Sequence, residues 1–460
     1  MFTARLFLGA PLCACLVLTS LDARAQTSEP APPVAPAAPT ASPSETPAAE
    51  PLTLERAVEL ASEHNERALA AQQRAEAADA RVARARAFFF PELTVTGTYT
   101  RRLRESVRNV AGQPTVLQRR NALGATAVAR MSLFDARGFP LYRAARLEGE
   151  AAELESREER RLVAFEAADA FLTTLGTQQV YEAAVRRLDF AQQTLLDAKA
   201  RAEAGLASTN DVTRAELEVS SAEVELAQAR GEAQASRLEL GYLLVAPVEG
   251  ALALPEPLLA EASRSTEGLS ALAQGAEARR LDLLSTRLRV QAQEASAREP
   301  LARLFPTLGV SGQYRITNES GLIGNQGDGF VALDLTWNLF DGGERYAERR
   351  ERVALTHALE LEATARTRRV GVDIQRAQVA LDNARAALRQ SELAATQARR
   401  NAEETGILYR QGLSTALAVA DASLRLFEAE VELARTRYSL GVALLDLRAA
   451  VGLDPLGKEP

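Results

Sequence analysis

Proline is absent from residues 141–246 and again from 307–454, and no other feature narrows the fold of this chain as much. A proline inside a helix removes a hydrogen bond and clashes with the preceding turn, so proline-free runs of this length leave room for helices far longer than a globular core needs. The intervening prolines are grouped, at Pro91, Pro114 and Pro140, then at Pro247, Pro255, Pro257, Pro300 and Pro306. A composition 47 % apolar but only 5 % aromatic fits the same bias toward long helices.

The halves align. Phe90-Pro91-Glu92-Leu93 answers Phe305-Pro306-Thr307-Leu308, and Gly97-Thr98-Tyr99 answers Gly312-Gln313-Tyr314, both at an offset of 215. Leu133-Phe134-Asp135 answers Leu339-Phe340-Asp341 at 206, and Gly205-Leu206 answers Gly412-Leu413 at 207. Landmarks in one order at nearly constant spacing mark an internal duplication. Residues 52–245 form the first copy, 246–266 an inter-repeat linker, 267–452 the second copy and 453–460 a C-terminal tail.

Each copy reads as helix, strand, loop, strand, long helix, turn, helix. The opening helices span about 53–88, with Thr53 as N-cap, and about 267–299. Four segments switch to period two, at about 92–101, 122–134, 307–317 and 329–340. Leu93, Val95 and Tyr99 share a face in the first of these, Leu308, Val310 and Tyr314 in the third, and Leu333, Leu335 and Trp337 in the fourth, while Thr, Ser, Gln, Asp and Arg dominate the opposite faces. Each segment has the length of a tilted membrane-crossing strand. Period two does not choose between a soluble sheet with its apolar face inward and a membrane barrel with that face in lipid. Four strands cannot close around water, so the membrane reading requires several chains in one barrel, and three copies supply twelve strands.

The long helices, about 141–203 and 345–410, are each on the order of 95–100 Å. Their returning partners carry heptad-spaced residues: Ala222, Leu226, Ala229, Ala233, Leu240 and Leu243, then Leu424, Phe427, Val431, Ala434, Tyr438 and Leu445. With turns at Gly205 and Gly412, each pair folds back as an antiparallel coiled-coil hairpin.

Chemistry is sparsely represented. The chain holds two His, His64 and His357, and two Cys, Cys13 and Cys15, which leaves no Cys/His zinc site, disulfide framework or Cys–His nucleophile. There is no Gly-rich phosphate loop and no Ser/His/Asp set, so neither an enzyme nor a cofactor is expected. A net charge of −7 without a basic block argues against nucleic acid. Residues 1–25 read as a secretory signal peptide cleaved before Gln26; the rival readings are a membrane anchor and a lipoprotein box that would acylate Cys15. Residues 26–51, rich in Pro and Ala, read as a disordered linker.

Four motifs then carry a resemblance. Leu52-Thr53-Leu54-Glu55-Arg56-Ala57-Val58, Trp337-Asn338-Leu339-Phe340-Asp341-Gly342-Gly343, Ala204-Gly205-Leu206-Ala207-Ser208-Thr209-Asn210-Asp211-Val212 and Tyr409-Arg410-Gln411-Gly412-Leu413-Ser414 stand in order on the repeat. Together they resemble the outer membrane factor family, the TolC-like channels of efflux pumps and type I secretion systems, over about residues 52–452. The resemblance implies a mainly α homotrimer. Its long helical hairpins would form an α-barrel across the periplasm, continuing a twelve-stranded transmembrane β-barrel in the outer membrane. It also implies as partners a periplasmic adaptor (membrane fusion) protein, an inner-membrane transporter of RND or ABC type, and outer-membrane lipid. Gly205, Leu206, Ser208, Gly412, Leu413 and Ser414 match the family's adaptor-docking tips, although a glycine that merely ends a helix reads the same way. Asp211 and Tyr409 match the positions that latch the inner hairpin closed, which implies a hydrogen bond between them; a plain helix-capping role for Asp211 is the rival. The family often carries two acidic residues at its constriction, where this chain has Ala418 and Asp421, and Asp421 reads equally as a solvated helix residue. Arg101, Arg102, Arg104, Arg108, Arg119 and Arg120 flank the first external loop, facing either lipopolysaccharide phosphates or solvent, and 318–328 is the second external loop. The competing class is a periplasmic or secreted coiled-coil adaptor or scaffold. The exported substrate is not readable from the chain.

Overall fold

The computed structural model describes residues 51–110, 112–264, 275–319 and 326–459. The signal peptide, nearly all of the Pro/Ala-rich linker, Cys15, and the start of the second copy's opening helix lie outside the described residues, as does the middle of the loop at 318–328.

The first copy opens with α1 (Leu54–His64) and α2 (Glu66–Ala87) rather than with one helix over 53–88. Thr53 caps α1 by accepting the Arg56 N–H at 3.2 Å. Asn65 then turns to an extended ψ of 130°. Its side chain accepts the Arg67 N–H at 2.9 Å to start α2 and donates to the Leu243 carbonyl at 3.1 Å. The second copy breaks at the position 215 residues on. There α6 (Ala276–Arg279) stops at Arg280, whose guanidinium grips Asp282 at 2.9 and 2.7 Å, before α7 (Leu281–Ser296) and α8 (Glu299–Ala302). Both opening helices are thus hinged at one equivalent point.

The long helices match their expected lengths. They are α3 (Gly138–Glu203) of 66 residues and α9 (Glu344–Arg410) of 67, each about 100 Å at 1.5 Å per residue. The returning helices α4 (Thr209–Leu244) and α10 (Ala416–Val451) have 36 residues each and pack on α3 and α9 respectively. Along α4 the buried positions are Ala215, Ala222, Ala229, Ala233, Leu240 and Leu244, a heptad-like seam of small residues that lets the helices approach closely. Of the expected second seam, Ala434, Tyr438 and Leu445 are buried, and Leu424, Phe427 and Val431 are half-buried.

Aspartates set the points where strand gives way to long helix. Asp135 accepts from the backbone and guanidinium of Arg137 at 3.0 Å. Asp341 accepts from the Gly343 N–H at 3.1 Å and from the Arg345 guanidinium at 2.6 Å. Gly342 and Gly343, with φ of 72° and 90°, make the turn at this second exit, a conformation that favours glycine.

A four-stranded antiparallel sheet lies at the far end of the long helices from their turns. Its strands, β1 (Glu92–Arg101), β4 (Asn121–Phe134), β5 (Thr307–Thr317) and β6 (Gly327–Thr336), pair in the order β1-β4-β5-β6, so the two copies join through β4 and β5. β6 ends at Thr336, which corrects the expected span 329–340. Trp337 therefore lies beyond the strand, where its indole N–H donates to the Leu304 carbonyl at 3.0 Å. Between β1 and β4 the chain forms a separate hairpin, β2 (Ser106–Val110) with β3 (Gln113–Gln118), where the sequence suggests only a loop.

The largest core forms where short and long helices meet, around Phe171 and Leu172 of α3, Leu240 and Leu244 of α4, and Leu444 and Leu447 of α10. The inter-repeat segment joins this core. Leu52 bridges Leu252, and α5 (Glu256–Ser263) buries Leu258 and Ala262. The tail is fastened as well, since Arg161 donates to the Leu453 carbonyl at 2.9 Å.

Candidate functional site: helical tips and exposed sheet

Both turns named by sequence are built alike. After α3, Gly205 adopts a φ of +74° while Leu206 N–H returns to the Arg201 carbonyl at 2.8 Å. After α9, Gly412 adopts +79° while Leu413 N–H returns to the Leu408 carbonyl at 2.8 Å. These are left-handed helix ends in which glycine avoids the Cβ penalty. Each turn holds one leucine outward, and Leu206 and Leu413 are both 73 % exposed.

The next residues start the returning helices. Ser208 accepts the Asn210 N–H at 3.0 Å, and Asp211 accepts the Ser208 N–H at 3.2 Å, which completes a capping box. In the second turn the equivalent cap is Thr415, which accepts the Ala418 N–H at 3.3 Å, and not Ser414. Thr415 was legible at 207 residues from Ser208. Ser414 is half-buried and aligns with Ala207.

The expected hydrogen bond between Asp211 and Tyr409 is absent. The Asp211 carboxylate is engaged by its own capping box, and the Tyr409 hydroxyl is buried with no hydrogen-bond partner among the described residues. Burial pushes the Tyr409 phenol up; the Arg201 charge opposes this, and the charges of Asp211 and Asp197 add to it. Tyr409 is held instead by Arg201, which donates to its backbone carbonyl and lies over its ring at 4.8 Å from the centroid. Sequence reasoning missed Arg201, which stands 208 residues from its partner. Asp421 pairs with Arg425 one turn on at 2.9 Å and is exposed.

In the sheet, register puts the apolar residues on one face. Leu93, Val95 and Tyr99 stand opposite Ala129, Ala127 and Leu123, while Val310 and Leu308 stand opposite Leu333 and Leu335. The other face is mostly polar, with Ser311 donating to Asp334 at 2.7 Å, and carries Val128 and Phe330 beside Gln313. Nothing in the described chain covers the apolar face at the outer strands, where Leu93 is 72 % and Leu335 69 % exposed. Leu308 and Val310, on an inner strand, are half-buried, and Tyr314 is exposed. β1 and β6 have no further strand partner among the described residues.

No helix among the described residues is long and apolar enough to cross a membrane, which leaves the sheet question untouched. No group of His, Cys, Asp and Glu there has the arrangement of a metal site.

A family model described as outer membrane efflux protein matches residues 57–244 and 272–453. The outer membrane protein TolC of Vibrio cholerae is 27 % identical over 197 residues, an alignment spanning 42 % of this chain and 45 % of that protein, less than half of each. Among solved structures, VceC of Vibrio cholerae, described as an outer membrane protein, superposes with a TM-score of 0.71 at 19 % identity, covering 87 % of this chain and 96 % of that one. The open state of the MtrE outer membrane channel of Neisseria gonorrhoeae superposes with a TM-score of 0.70 at 18 % identity, covering 87 % and 89 %. At such identities the superpositions establish a shared fold.

Proposed function

This chain belongs to the outer membrane efflux protein family, and we propose that three copies of it form one exit duct through the outer membrane and across the periplasm. Family membership makes it an outer-membrane efflux channel, a passive conduit rather than an enzyme, and sets aside the adaptor and scaffold reading. One feature of the molecule supports the trimeric duct. A sheet whose outer strands leave an apolar face open, and whose two edges have no strand partner among the described residues, ends a pair of helices each about 100 Å long.

In lipid, each unpaired backbone group costs several kcal/mol, so a four-stranded sheet is not stable there alone. Pairing β6 of one copy with β1 of the next removes both edges, and three copies close a twelve-stranded barrel. Leu93, Val95, Tyr99, Leu308, Val310, Tyr314, Leu333 and Leu335 then face lipid, with Trp337 just past the end of β6. The α3–α4 and α9–α10 hairpins continue the wall as a tunnel. Its periplasmic tips present Gly205, Leu206, Gly412 and Leu413 to an adaptor protein, with Ser208 and Ser414 beside them. Exposed leucines on rigid turns suit an apolar contact with a partner. Arg201 and Tyr409 hold the two tips of one copy together as the gate, and Asp211 and Asp421 lie along the same narrowing. Energy comes from an inner-membrane transporter of RND or ABC type, in a tripartite efflux pump or a type I secretion system.

The test places one cysteine on β1 and one on β6, at Thr96 and Asp334. Oxidation in isolated outer membranes is expected to yield covalent trimers. Linked dimers without a closed trimer would contradict the barrel.

A further inference from the structure

The β2–β3 hairpin gathers charge with little compensation. Residues 101–120 contain six arginines, and Glu105 is the lone acidic residue among them. Arg102 is accounted for, because its guanidinium binds Glu319 and donates to the Arg119 carbonyl at 3.1 Å. Glu319 also accepts the Arg119 N–H at 2.8 Å, so the one carboxylate drawn to the hairpin base is already engaged. The guanidinium groups of Arg101, Arg104, Arg108, Arg119 and Arg120 meet no carboxylate among the described residues, and all five residues are exposed. The fold brings the two ends of this segment together at the hairpin base, since Arg101 pairs across the sheet with Asn121 and Arg102 N–H donates to the Arg120 carbonyl at 2.7 Å, while Arg108 stands opposite Thr115 on the hairpin itself. Clustered like charges repel, and an anionic partner relieves that cost.

The position of the cluster indicates which partner. Arg101 continues the apolar face that runs through Leu93, Val95 and Tyr99, and the Tyr99 hydroxyl donates to Asn121 Oδ1 at 3.1 Å at the rim of that face. An aromatic followed by cations at the end of a lipid-facing strand marks the level of the headgroups. Leu103, 95 % exposed between Arg102 and Arg104, adds an apolar contact at the same level. We propose that Arg101, Arg104, Arg108, Arg119 and Arg120 bind the phosphate groups of the outer-leaflet glycolipid, lipid A. This rests on the barrel reading, in which the end of the sheet away from the helices faces outward. Arginine suits the task because its planar fork grips phosphate through two parallel hydrogen bonds.

Full-length protein in detergent, stripped of lipid, is titrated with diphosphorylated lipid A, dephosphorylated lipid A and inorganic pyrophosphate, and bound masses are read by native mass spectrometry. Diphosphorylated lipid A is expected to bind at least tenfold more tightly than either other probe. Changing all five arginines to glutamine abolishes that preference, and changing all five to lysine restores most of it. Only variants that keep the trimer mass and melting point of the parent are compared. Equal binding of the two lipids, or a glutamine variant indistinguishable from the parent, overturns the proposal. Pyrophosphate binding as tightly as the lipid also overturns it, since the site would then serve a free anion. Loss of the trimer mass in the parent protein would contradict the barrel reading instead, so the two failures are distinguishable.

Discussion

At the tips, Arg201 holds Tyr409 through both the backbone carbonyl and the ring face, whereas the phenol hydroxyl stays buried and unbonded among the described residues. The guanidinium therefore carries the contact. Losing a charged hydrogen bond and a cation–π contact costs about 2 kcal/mol. Arg201→Ala is expected to raise resting single-channel conductance in planar bilayers, while Tyr409→Phe leaves it unchanged. Opening by Tyr409→Phe alone would assign the latch to the hydroxyl. Asp211→Ala should act as loss of half a capping box, destabilising by about 1 kcal/mol without opening the resting channel as Arg201→Ala does. In the middle of the molecule, partial burial raises the carboxyls of Asp169 and Asp446, and the charge of Asp446 adds to the shift of Asp169. A carboxyl raised in the folded state favours folding while protonated, and that contribution is lost as pH rises through its folded value. Asp446→Asn should therefore raise the melting temperature at neutral pH, and the gain should vanish toward about pH 4, where free carboxyls protonate. A gain constant with pH would rule out this titration as its source.

The duplication reaches the hinges, turns and caps of the secondary structure. Asn65 and Arg280 break the two opening helices at equivalent positions by different chemistry, an amide cap in one copy and an arginine–carboxylate clasp in the other. Neither break shows in the helical pattern, because a single Asn or Arg fits a helix interior, and Asn65 is instead buried against the distant Leu243 carbonyl, a partner the local pattern does not reveal. Asn65→Ala is expected to cost about 1 kcal/mol or more, since it removes both the cap and the bond to Leu243, and thermal unfolding measures this directly. The strand positions, by contrast, were largely legible, because alternation of Leu, Val and Tyr with Thr, Ser and Gln survives on any two-faced sheet. The β2–β3 hairpin was hidden by its brevity and by Pro114, which demotes a run as a strand. Its weak signal was Val107 and Val116 on either side of Gly112, whose φ is +81°. Gly329 shows how tightly neighbouring strands fit. A Cβ there would meet Tyr314 Cδ2 at 2.9 Å and the Gln313 carbonyl at 3.1 Å. Gly329→Val should therefore lower the yield of assembled barrel.

For the assembly, repeat, strand length and turn motifs pointed to the channel family, and the family match agrees. The arrangement at the tips was not legible, because contacts such as Arg201 with Tyr409 join residues 208 positions apart on separate hairpins. The central claim is that the exposed sheet is one third of a shared barrel. Native mass spectrometry of protein extracted by detergent from isolated outer membranes tests it most directly. A mass of three chains from that fraction is the predicted result. A monomer or dimer recovered without detergent would contradict it and make the strands a soluble sheet.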